Sequence, residues 1–576
     1  MNLEKPVLAS TATAFVTFAV VIGIATMYWT IGPGGLPATI SDIWQFLWRD
    51  GFADPYSRCG IDLACRTSNL HILLDDQLIG RHVNLIIVAA SIGGVSTFFL
   101  SMIHVPTRET SQTILGQRLL YDADARQSFR RHLSRFGASD AQSLWLTPYV
   151  QLTRNAEASN IGILGGHGSG KTGLALGLAE QILKRGDLTI LHDAKGNLTA
   201  GLPTSDFILL SARDRRGWLW AIGRDIKDPN AAAEVSAKFI PTETTGETIW
   251  ADSARSILSA LIEALQLKYG LAWGWEELYR FIFLTPRQLR DQLDQIQSPV
   301  AKLIEFDGQG ALSRTSQSIL LTLWIATLQS IRPIAVLAKS VPKSRRFSLS
   351  EWISPGSKLP KTIILQHAAD YPILSTAVNG LLIEIVAGKI LAPSSPNRST
   401  PWLYLILDEL PVLKRLNRLP ELLNVGREKG VRCIAATQDW EQIDKYYGPE
   451  DSKTLEARLK IKIVCQLGIC ATRDRVAELF AGQRTVLNWD YVGENKPKVR
   501  RETRVPVIEH HQLSDELGVI KTRGQLNIRV AIFGLGTPGI VNIPFTAWPQ
   551  RRPAHIPLQP LSKSAKRTPK NQSRSQ

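Results

Sequence analysis

Cysteine is scarce in this chain of 576 residues, with only five copies, and none stands with histidine in a zinc-binding pattern. The pair His510-His511 also lacks the HExxH frame of a metalloprotease. Acidic residues are outnumbered by basic ones, 51 against 67, which gives a net charge of +16. These shortages argue against a zinc-based function, and the excess of positive charge favours nucleic acid or anionic lipid as a partner.

Charged residues are missing from two long N-terminal stretches, 7–31 and 84–103. At about 1.5 Å per residue, both are long enough to cross about 30 Å of hydrocarbon. The first stretch also exceeds the apolar core of about 7–15 residues that a cleavable signal peptide usually has. We therefore predict a membrane domain over residues 1–106, with transmembrane helices at 7–31 and 83–103.

The orientation of these spans follows from the flanking charges. Several arginines follow the second span, whereas the loop of residues 32–82 between the spans is net acidic. The positive-inside rule then places both termini in the cytoplasm and the loop on the other side of the membrane. Cys59 and Cys65 both lie in this outer loop, where they either form a disulfide bridge or remain free thiols.

A glycine-rich segment fits G-x-x-x-x-G-K-[ST], the phosphate-binding loop of NTPases. An apolar strand, residues 160–164, precedes it, and a helical segment, residues 173–183, follows it. In such a loop the backbone N–H groups and the helix N-terminus bind phosphate, the lysine reaches the β- and γ-phosphates, and the hydroxyl ligates Mg²⁺. We predict that ATP and Mg²⁺ bind here, at Gly165, Gly166, His167, Gly168, Ser169, Gly170, Lys171 and Thr172.

An acidic pair follows a second apolar strand. Residues 403–407 are all apolar or aromatic, and Asp408 and Glu409 come directly after them. A buried parallel strand has this composition, and its carboxyl end lies in the crevice where α/β sheets bind ligands. We predict that Asp408 holds Mg²⁺ through water and that Glu409 orients or deprotonates the attacking water. A third strand ends in the turn Asp193-Ala194-Lys195-Gly196, which either adds Asp193 to the nucleotide site or is an ordinary strand exit.

The cytoplasmic part divides by its pattern of apolar residues. Residues 107–225 and 341–550 alternate strands with helices, which predicts an α/β NTPase domain in two parts. Residues 226–340 have helical periodicity and few strand signals, which predicts an all-helical insertion domain. Residues 551–576 carry basic residues and no acidic ones, and we predict a disordered basic tail that contacts DNA or lipid or is merely solvated.

Several motifs resemble those of a known family, the coupling proteins of bacterial conjugation and type IV secretion, the TraD/TrwB kind. The likeness extends over nearly the whole chain apart from the tail, and it includes the order of spans, phosphate loop, helical insertion and acidic strand end. The matching segments are 407–411, 418–423, 426–430, 436–439, Tyr447-Gly448 and the turn at 193–196. Some members carry a long acidic C-terminal extension, whereas the tail here is short and basic, which leaves the selection of cargo open.

The resemblance implies a RecA-like hexameric ATPase at the inner membrane that recruits a relaxase–DNA complex and pumps DNA, single- or double-stranded, to the channel of a type IV secretion system. It implies that Gln438 senses the γ-phosphate and that Arg427 reaches a neighbouring subunit's nucleotide. From the residues alone, Arg427 is a surface helix arginine. A planar, always charged guanidinium suits phosphate oxygens.

Two other functions compete with this expectation. One is a chromosomal DNA translocase of the FtsK kind, which would be expected to have more membrane spans and a C-terminal winged helix. The other is a receptor platform that binds ATP to assemble and delivers protein substrates. Glu409 favours hydrolysis, because a protein that only binds ATP does not need a carboxylate that activates water.

Overall fold

The computed structural model describes residues 88, 90–97, 111–211, 213–241, 248–397, 402–491, 497–522 and 524–557. Contacts divide the chain into two units, residues 1–112 with 489–499 and residues 113–488 with 500–576. In the first unit, residues 90–97 are helical and the side chains of Ile92 and Val95 are exposed. The first predicted span, most of the second and the pair Cys59 and Cys65 lie outside the described residues and stay predictions.

The strands of the described residues are numbered in chain order. They are β1 (Ser111–Leu115), β2 (Leu120–Tyr121), β3 (Trp145–Thr147), β4 (Val150–Gln151), β5 (Ile161–Leu164), β6 (Leu188–Asp193), β7 (Ile208–Leu210), β8 (Leu219–Trp220), β9 (Arg346–Phe347), β10 (Thr362–Gln366), β11 (Leu403–Leu407), β12 (Val431–Thr437), β13 (Ile461–Val464), β14 (Gln483–Tyr491), β15 (Pro497–Pro506), β16 (Gly518–Thr522), β17 (Gln525–Phe533) and β18 (Gly539–Pro544).

The α-helices are numbered in the same way. They are α1 (Asp122–Leu133), α2 (Arg154–Glu157), α3 (Lys171–Arg185), α4 (Asn197–Gly201), α5 (Pro229–Phe239), α6 (Thr248–Tyr269), α7 (Trp275–Ile282), α8 (Pro286–Gln295), α9 (Arg314–Ala338), α10 (Leu349–Ile353), α11 (Pro372–Leu391), α12 (Leu419–Val425), α13 (Trp440–Arg458, interrupted at Gly448) and α14 (Ala471–Arg475). Shorter 3₁₀ helices include Pro299–Leu303 and Leu410–Leu413.

A large mixed sheet organises the second unit. Its eleven strands follow the order β2-β18-β17-β13-β5-β12-β11-β6-β10-β7, with β16 paired to β17. The run from β13 to β7 is parallel, so all these strands end at one edge, which we call the carboxyl edge. After β5 the chain continues to β6, which lies beyond β12 and β11 on one side of β5. Strand β13 pairs with β5 on the other side. A switch of this kind opens a crevice at the carboxyl edge where α/β sheets bind ligands.

Helices cover both faces of this sheet, which explains the apolar runs in its strands. Along β11, Leu403, Leu405 and Leu407 join one buried cluster, whereas Tyr404 and Ile406 join another on the opposite face. Successive side chains of a strand point to opposite faces, so a strand covered on both sides needs apolar residues throughout. The alternation confirms the α/β reading of residues 403–407.

The segment between α5 and α9 is helical in its described residues, with no strand among them. Its side chains belong to the same buried cluster as one face of the sheet, opposite α3. Apolar residues of α6, such as Ile257 and Leu261, contribute to this cluster. The boundaries of the insertion domain stay a prediction, because the helices and the sheet share one core.

Two helices of the described residues, α9 and α11, are long and apolar enough to cross a membrane. In the most apolar window of α11, 78% of the residues are buried inside the fold, and in that of α9 44% are buried. Core helices pass the same test of length and composition, so these two helices are weak evidence for a membrane span.

The start of the predicted tail is ordered against the sheet, in contrast to the expectation from sequence. The backbone N–H of Arg551 donates to the carbonyl of Ala200 at 2.9 Å, and that of Ile556 donates to Asp214 Oδ2 at 3.0 Å. Gln366 Nε2 donates to the carbonyl of Ala554 at 2.8 Å. The polar composition predicts disorder here, whereas the structure is ordered. Composition does not reveal this order, because the backbone groups of the segment make these contacts. Residues 558–576 lie outside the described residues.

Candidate nucleotide site at the carboxyl edge

The glycine-rich loop connects the end of β5 to the start of α3. Gly168 and Gly170 have φ angles of 74° and 99°, in the left-handed region that favours glycine. A Cβ atom on Gly165 would lie 2.5 Å from Ser169 Oγ, so this position also needs glycine. The three glycines therefore allow the tight turn that aims backbone N–H groups at a phosphate. His167 lies exposed on this loop.

Lys171 crosses the mouth of the loop. Its Nζ donates hydrogen bonds to the carbonyl oxygens of Gly165 at 2.5 Å and Gly166 at 2.8 Å. Burial lowers the pKa of Lys171, and the nearby charge of Glu409 counteracts this. The amine thus lies against the backbone of the loop, and its role in neutralising phosphate oxygens stays a prediction.

Thr172 and Asp408 meet across the site although 236 positions separate them. The Thr172 hydroxyl donates to Asp408 Oδ1 at 3.2 Å. Burial raises the pKa of Asp408, and the charges of Asp193 and Glu409 raise it further. A hydroxyl beside a carboxylate is a set of hard oxygen donors, which suits Mg²⁺.

Glu409 and Gln438 form a second contact at the same edge. Gln438 Nε2 donates to Glu409 Oε2 at 2.9 Å, and the Gln438 backbone N–H donates to Oε1 at 3.2 Å. Gln438 directly follows β12, next to the strand that precedes Glu409. The fold therefore brings together both residues that the sequence and the family resemblance single out.

Asp193 lies close enough to the site for its charge to raise the pKa of Asp408, but its carboxylate is engaged within its own turn, and a contact with nucleotide stays a prediction. Its carboxylate is fully buried and accepts hydrogen bonds from the N–H groups of Gly196 and Thr199, both at 2.7 Å, and from the Thr199 hydroxyl at 2.7 Å. It therefore organises the turn and the start of α4. Lys195 of the same turn is exposed, and its charge lowers the pKa of both Lys171 and Asp408. Lys195 is thus a candidate for the site that belongs to the predicted turn but was not among the predicted site residues.

Arg427 lies at the opposite edge of the sheet from the phosphate loop. It is exposed and precedes β12, which ends at the carboxyl edge with Thr437. The seven residues of β12, at about 3.3 Å each, separate the two edges by about 20 Å. An arginine side chain does not extend so far, so Arg427 does not reach the phosphate loop of the same chain.

An open cavity of about 740 Å³ adjoins the phosphate loop and was not foreseen from sequence. Gly166 and His167 form one wall. The other walls come from the loop after β13, from α14 and from the segment before β16, with the residues Gln466, Ile469, Arg473, His510, His511 and Ser514. These residues are distant in sequence from any nucleotide motif, so only their position in the fold identifies them.

The parallel sheet, the glycine loop on β5 and the acidic residues after β11 together define a P-loop NTPase domain. Within that class, the chain belongs to the type IV coupling proteins of the TraD/TrwB family. The family model described as the type IV secretion-system coupling protein DNA-binding domain matches residues 146–500.

Known relatives agree with this family. The coupling protein TraD of Escherichia coli (strain K12) is 22% identical over 393 residues, which cover 67% of this chain and 52% of the relative. The chain thus spans about half the length of this curated relative.

Solved structures share the fold. The conjugative coupling protein TrwBdeltaN70, in a trigonal form with sulphate, has a TM-score of 0.61 at 19% identity over 77% of this chain and 98% of that one. TrwB in complex with ADP and Mg²⁺ has a TM-score of 0.60 at 19% identity, over 77% and 97% of the chains. TrwB with a non-hydrolysable ATP analogue gives 0.60 at 20% identity over the same shares.

Proposed function

We propose that this protein is an ATP-driven coupling protein of the bacterial inner membrane that recruits a relaxase–DNA complex and moves DNA to a type IV secretion channel. The observation that carries this proposal is the meeting of Thr172 with Asp408, and of Glu409 with Gln438, beside a complete phosphate loop. Membership of the coupling-protein family supports the DNA partner, the channel and the membrane location.

The nucleotide chemistry follows from the geometry of these residues. Lys171 and the loop N–H groups would bind the phosphates of ATP, and Thr172 and Asp408 would hold Mg²⁺, which neutralises phosphate charge when bound. Glu409 would take a proton from the attacking water, and Gln438 would orient Glu409 and sense the γ-phosphate. TrwB structures with ADP and Mg²⁺, and with an ATP analogue, support this use of the site.

The cavity beside the loop suits the nucleoside part of the substrate. Its volume of about 740 Å³ lies within the range of about 300–1,000 Å³ that is usual for small-molecule sites. His510 and Ile469 would contact the base or the ribose, and Arg473 would contact the phosphates or the ribose.

DNA, the relaxase and a hexameric assembly complete the proposal. The net charge of +16 favours DNA, and the matching family model is described as a DNA-binding domain. A homohexamer would bring Arg427 of one subunit to the nucleotide of the next. The placement of Arg427 away from its own phosphate loop supports this role in trans.

Glu409→Gln tests the proposed hydrolysis. In the full-length protein, the variant should keep ATP affinity but lose hydrolysis, because an amide does not accept the proton of water. Glu450→Gln is the matched control, since the Glu450 side chain is 88% exposed and lies on α13. ATPase rates with and without single- and double-stranded DNA, and binding of a fluorescent ATP analogue, are the measurements.

The outcomes separate the competing functions. Hydrolysis that DNA stimulates and Glu409→Gln abolishes supports the motor. A wild-type protein that binds ATP, hydrolyses it hardly at all and ignores DNA would be a receptor platform. Hydrolysis by Glu409→Gln at the wild-type rate would show that another group is the general base.

A further inference from the structure

Lys414 has a backbone conformation that lysine rarely adopts. Its φ and ψ angles are 54° and −149°, a region that is essentially confined to glycine. Asp122, Asn160 and Gln297 also have positive φ, and aspartate and asparagine tolerate it better than lysine does. Strained residues of this kind concentrate at ligand clamps and switch regions.

The contacts of its neighbours impose this conformation. Leu413 and Leu416, on either side, are 1% and 0% exposed and belong to the core. The Arg415 carbonyl accepts a hydrogen bond from Lys238 Nζ at 2.6 Å, and the Leu416 N–H donates to Tyr447 Oη at 3.1 Å. Because α5, α13 and the core all hold the flanking residues, their contacts maintain the strained backbone at Lys414 while its side chain stays exposed.

Lys414 also differs from the neighbouring cations in its ion pairing. The other cations near it are paired with carboxylates: Lys238 with Glu384 at 3.2 Å, Arg415 with Asp451 at 2.6 Å, and Arg418 with Glu234. Lys414 forms no ion pair with any described residue. The result is one exposed positive charge, without an ion pair to any described residue, on a strained segment of backbone.

A single turn of 3₁₀ helix, Leu410–Leu413, connects this lysine to the proposed general base. Glu409 is the residue before the turn, and Lys414 is the residue after it. The Thr376 hydroxyl donates to the Val412 carbonyl at 3.1 Å and ties the turn to α11. A change of backbone conformation at Lys414 would therefore be transmitted through one short turn to Glu409.

We propose that Lys414 binds a backbone phosphate of DNA and that this contact couples DNA to ATP hydrolysis through Glu409. The inference rests on the proposed function. An exposed ammonium group without an ion pair to any described residue, beside the exposed polar residues Arg415 and Asn417, suits a repeating phosphate backbone, which is contacted without reading the bases. Binding of the phosphate favours one position of Lys414 and thereby one position of the turn.

The test compares four variants of the full-length protein. Lys414→Ala removes the charge, Lys414→Gly removes the charge and the strain, and Lys414→Arg keeps the charge. Lys184→Ala is the control, because Lys184 is 74% exposed and lies near the C-terminal end of α3. DNA affinity is measured by fluorescence anisotropy from about 50 to about 200 mM salt, since each phosphate contact contributes to the salt dependence.

In Lys414→Ala and Lys414→Gly, the slope of log affinity against log salt should become shallower by about 1 for each subunit in contact with DNA. The weakening should be the same on unrelated DNA sequences. The ratio of ATPase rates with and without saturating DNA should fall toward unity in both variants. Lys414→Arg and Lys184→Ala should behave as the wild type.

Each result that contradicts the expectation rules out a different part of the proposal. An unchanged salt slope in Lys414→Ala, with a wild type that DNA stimulates, overturns the inference and leaves the proposed function intact. Recovery of full stimulation at saturating DNA overturns the coupling to Glu409. Loss of binding to poly-glutamate but not to DNA would assign the lysine to an acidic protein instead. A wild type that neither binds DNA nor responds to it would contradict the proposed function and this inference together.

The strain has its own readout. Lys414→Gly should unfold at a temperature equal to or above that of Lys414→Ala, because glycine adopts this conformation without a Cβ penalty. At an unstrained position the order would be reversed.

Discussion

His192 is a fully buried histidine on the strand that leads to Asp193, and neither of its ring nitrogens has a hydrogen-bond partner among the described residues. Burial, with a smaller effect of the neighbouring His367 ring 6.4 Å away, lowers the pKa of His192 to about 3. The folded state therefore holds the neutral imidazole. The unfolded chain, in which a histidine titrates near 6.5, accepts the proton more readily.

The sign of this shift predicts acid sensitivity. The stabilising contribution is complete above about pH 6.5 and is lost as the pH falls toward about 3, with a slope of up to about 1.4 kcal/mol per pH unit. His192→Leu should show a shallower loss of thermal stability between about pH 6.5 and pH 4.5 than the wild type does. His511→Gln is the control, because that side chain is 63% exposed. Parallel curves for wild type and His192→Leu would contradict the prediction.

At the scale of elements, glycines on two helices make room for the C-terminal segment of the described chain. A Cβ atom on Gly173 of α3 would lie 3.0 Å from the ring of Phe545, and one on Gly201 of α4 would lie 2.7 Å from Trp548 Cβ. The segment then passes the turn that Asp193 organises, since Gly196 lies against Ala554. Residues near position 550 are thus packed beside the nucleotide site.

Gly201→Ala should displace this segment. The added methyl group meets Trp548 at a distance that real contacts do not show, and overpacking of this kind costs about 1–3 kcal/mol of the free energy of unfolding. Thermal unfolding and limited proteolysis around residue 548 are the measurements. Gly308→Ala is the control, because a Cβ atom there meets nothing within 4 Å and φ is not positive. Equal stability of the two variants would mean that the segment adjusts freely.

At the scale of the whole molecule, the nucleotide residues and Arg427 occupy opposite edges of one sheet. Arg427 therefore does not reach the phosphate loop of the same chain. In a ring of subunits, Arg427 of one chain would reach the phosphate loop of the next. Arginine side chains supplied in trans in this way accelerate hydrolysis by about 10³–10⁵-fold in well-studied NTPases.

Mixing two inactive variants tests this assembly. Arg427→Ala and Lys171→Ala should each be inactive alone, but a mixture should recover part of the activity, because an Arg427→Ala subunit keeps its loop and receives Arg427 from its neighbour. The specific ATPase rate should also rise with protein concentration. No recovery under conditions where subunits exchange, with a rate independent of concentration, would leave Arg427 with a structural role.

Local chemistry explains which parts could be predicted from the sequence. The phosphate loop, the strand at 403–407 and the acidic pair each consist of consecutive residues. They could be predicted because each depends only on the residue types and the backbone conformation within one short segment. The helices between Pro229 and Ala338, in the part of this segment that the structure describes, were also predictable from periodicity. Asp193 was less predictable, since an acid after a strand serves either a ligand or its own turn.

The sequence by itself determined the elements of the site, their order and the class of NTPase. Only the tertiary structure decided which residues meet: Thr172 with Asp408 across 236 positions, Gln438 with Glu409, and the cavity of His510 and Arg473 with the phosphate loop. It also decided that Arg427 lies at the opposite edge of the sheet from the phosphate loop and that the backbone at Lys414 is strained. The physical reason is that strand order and register bring distant residues together, and no local pattern of residues encodes that order.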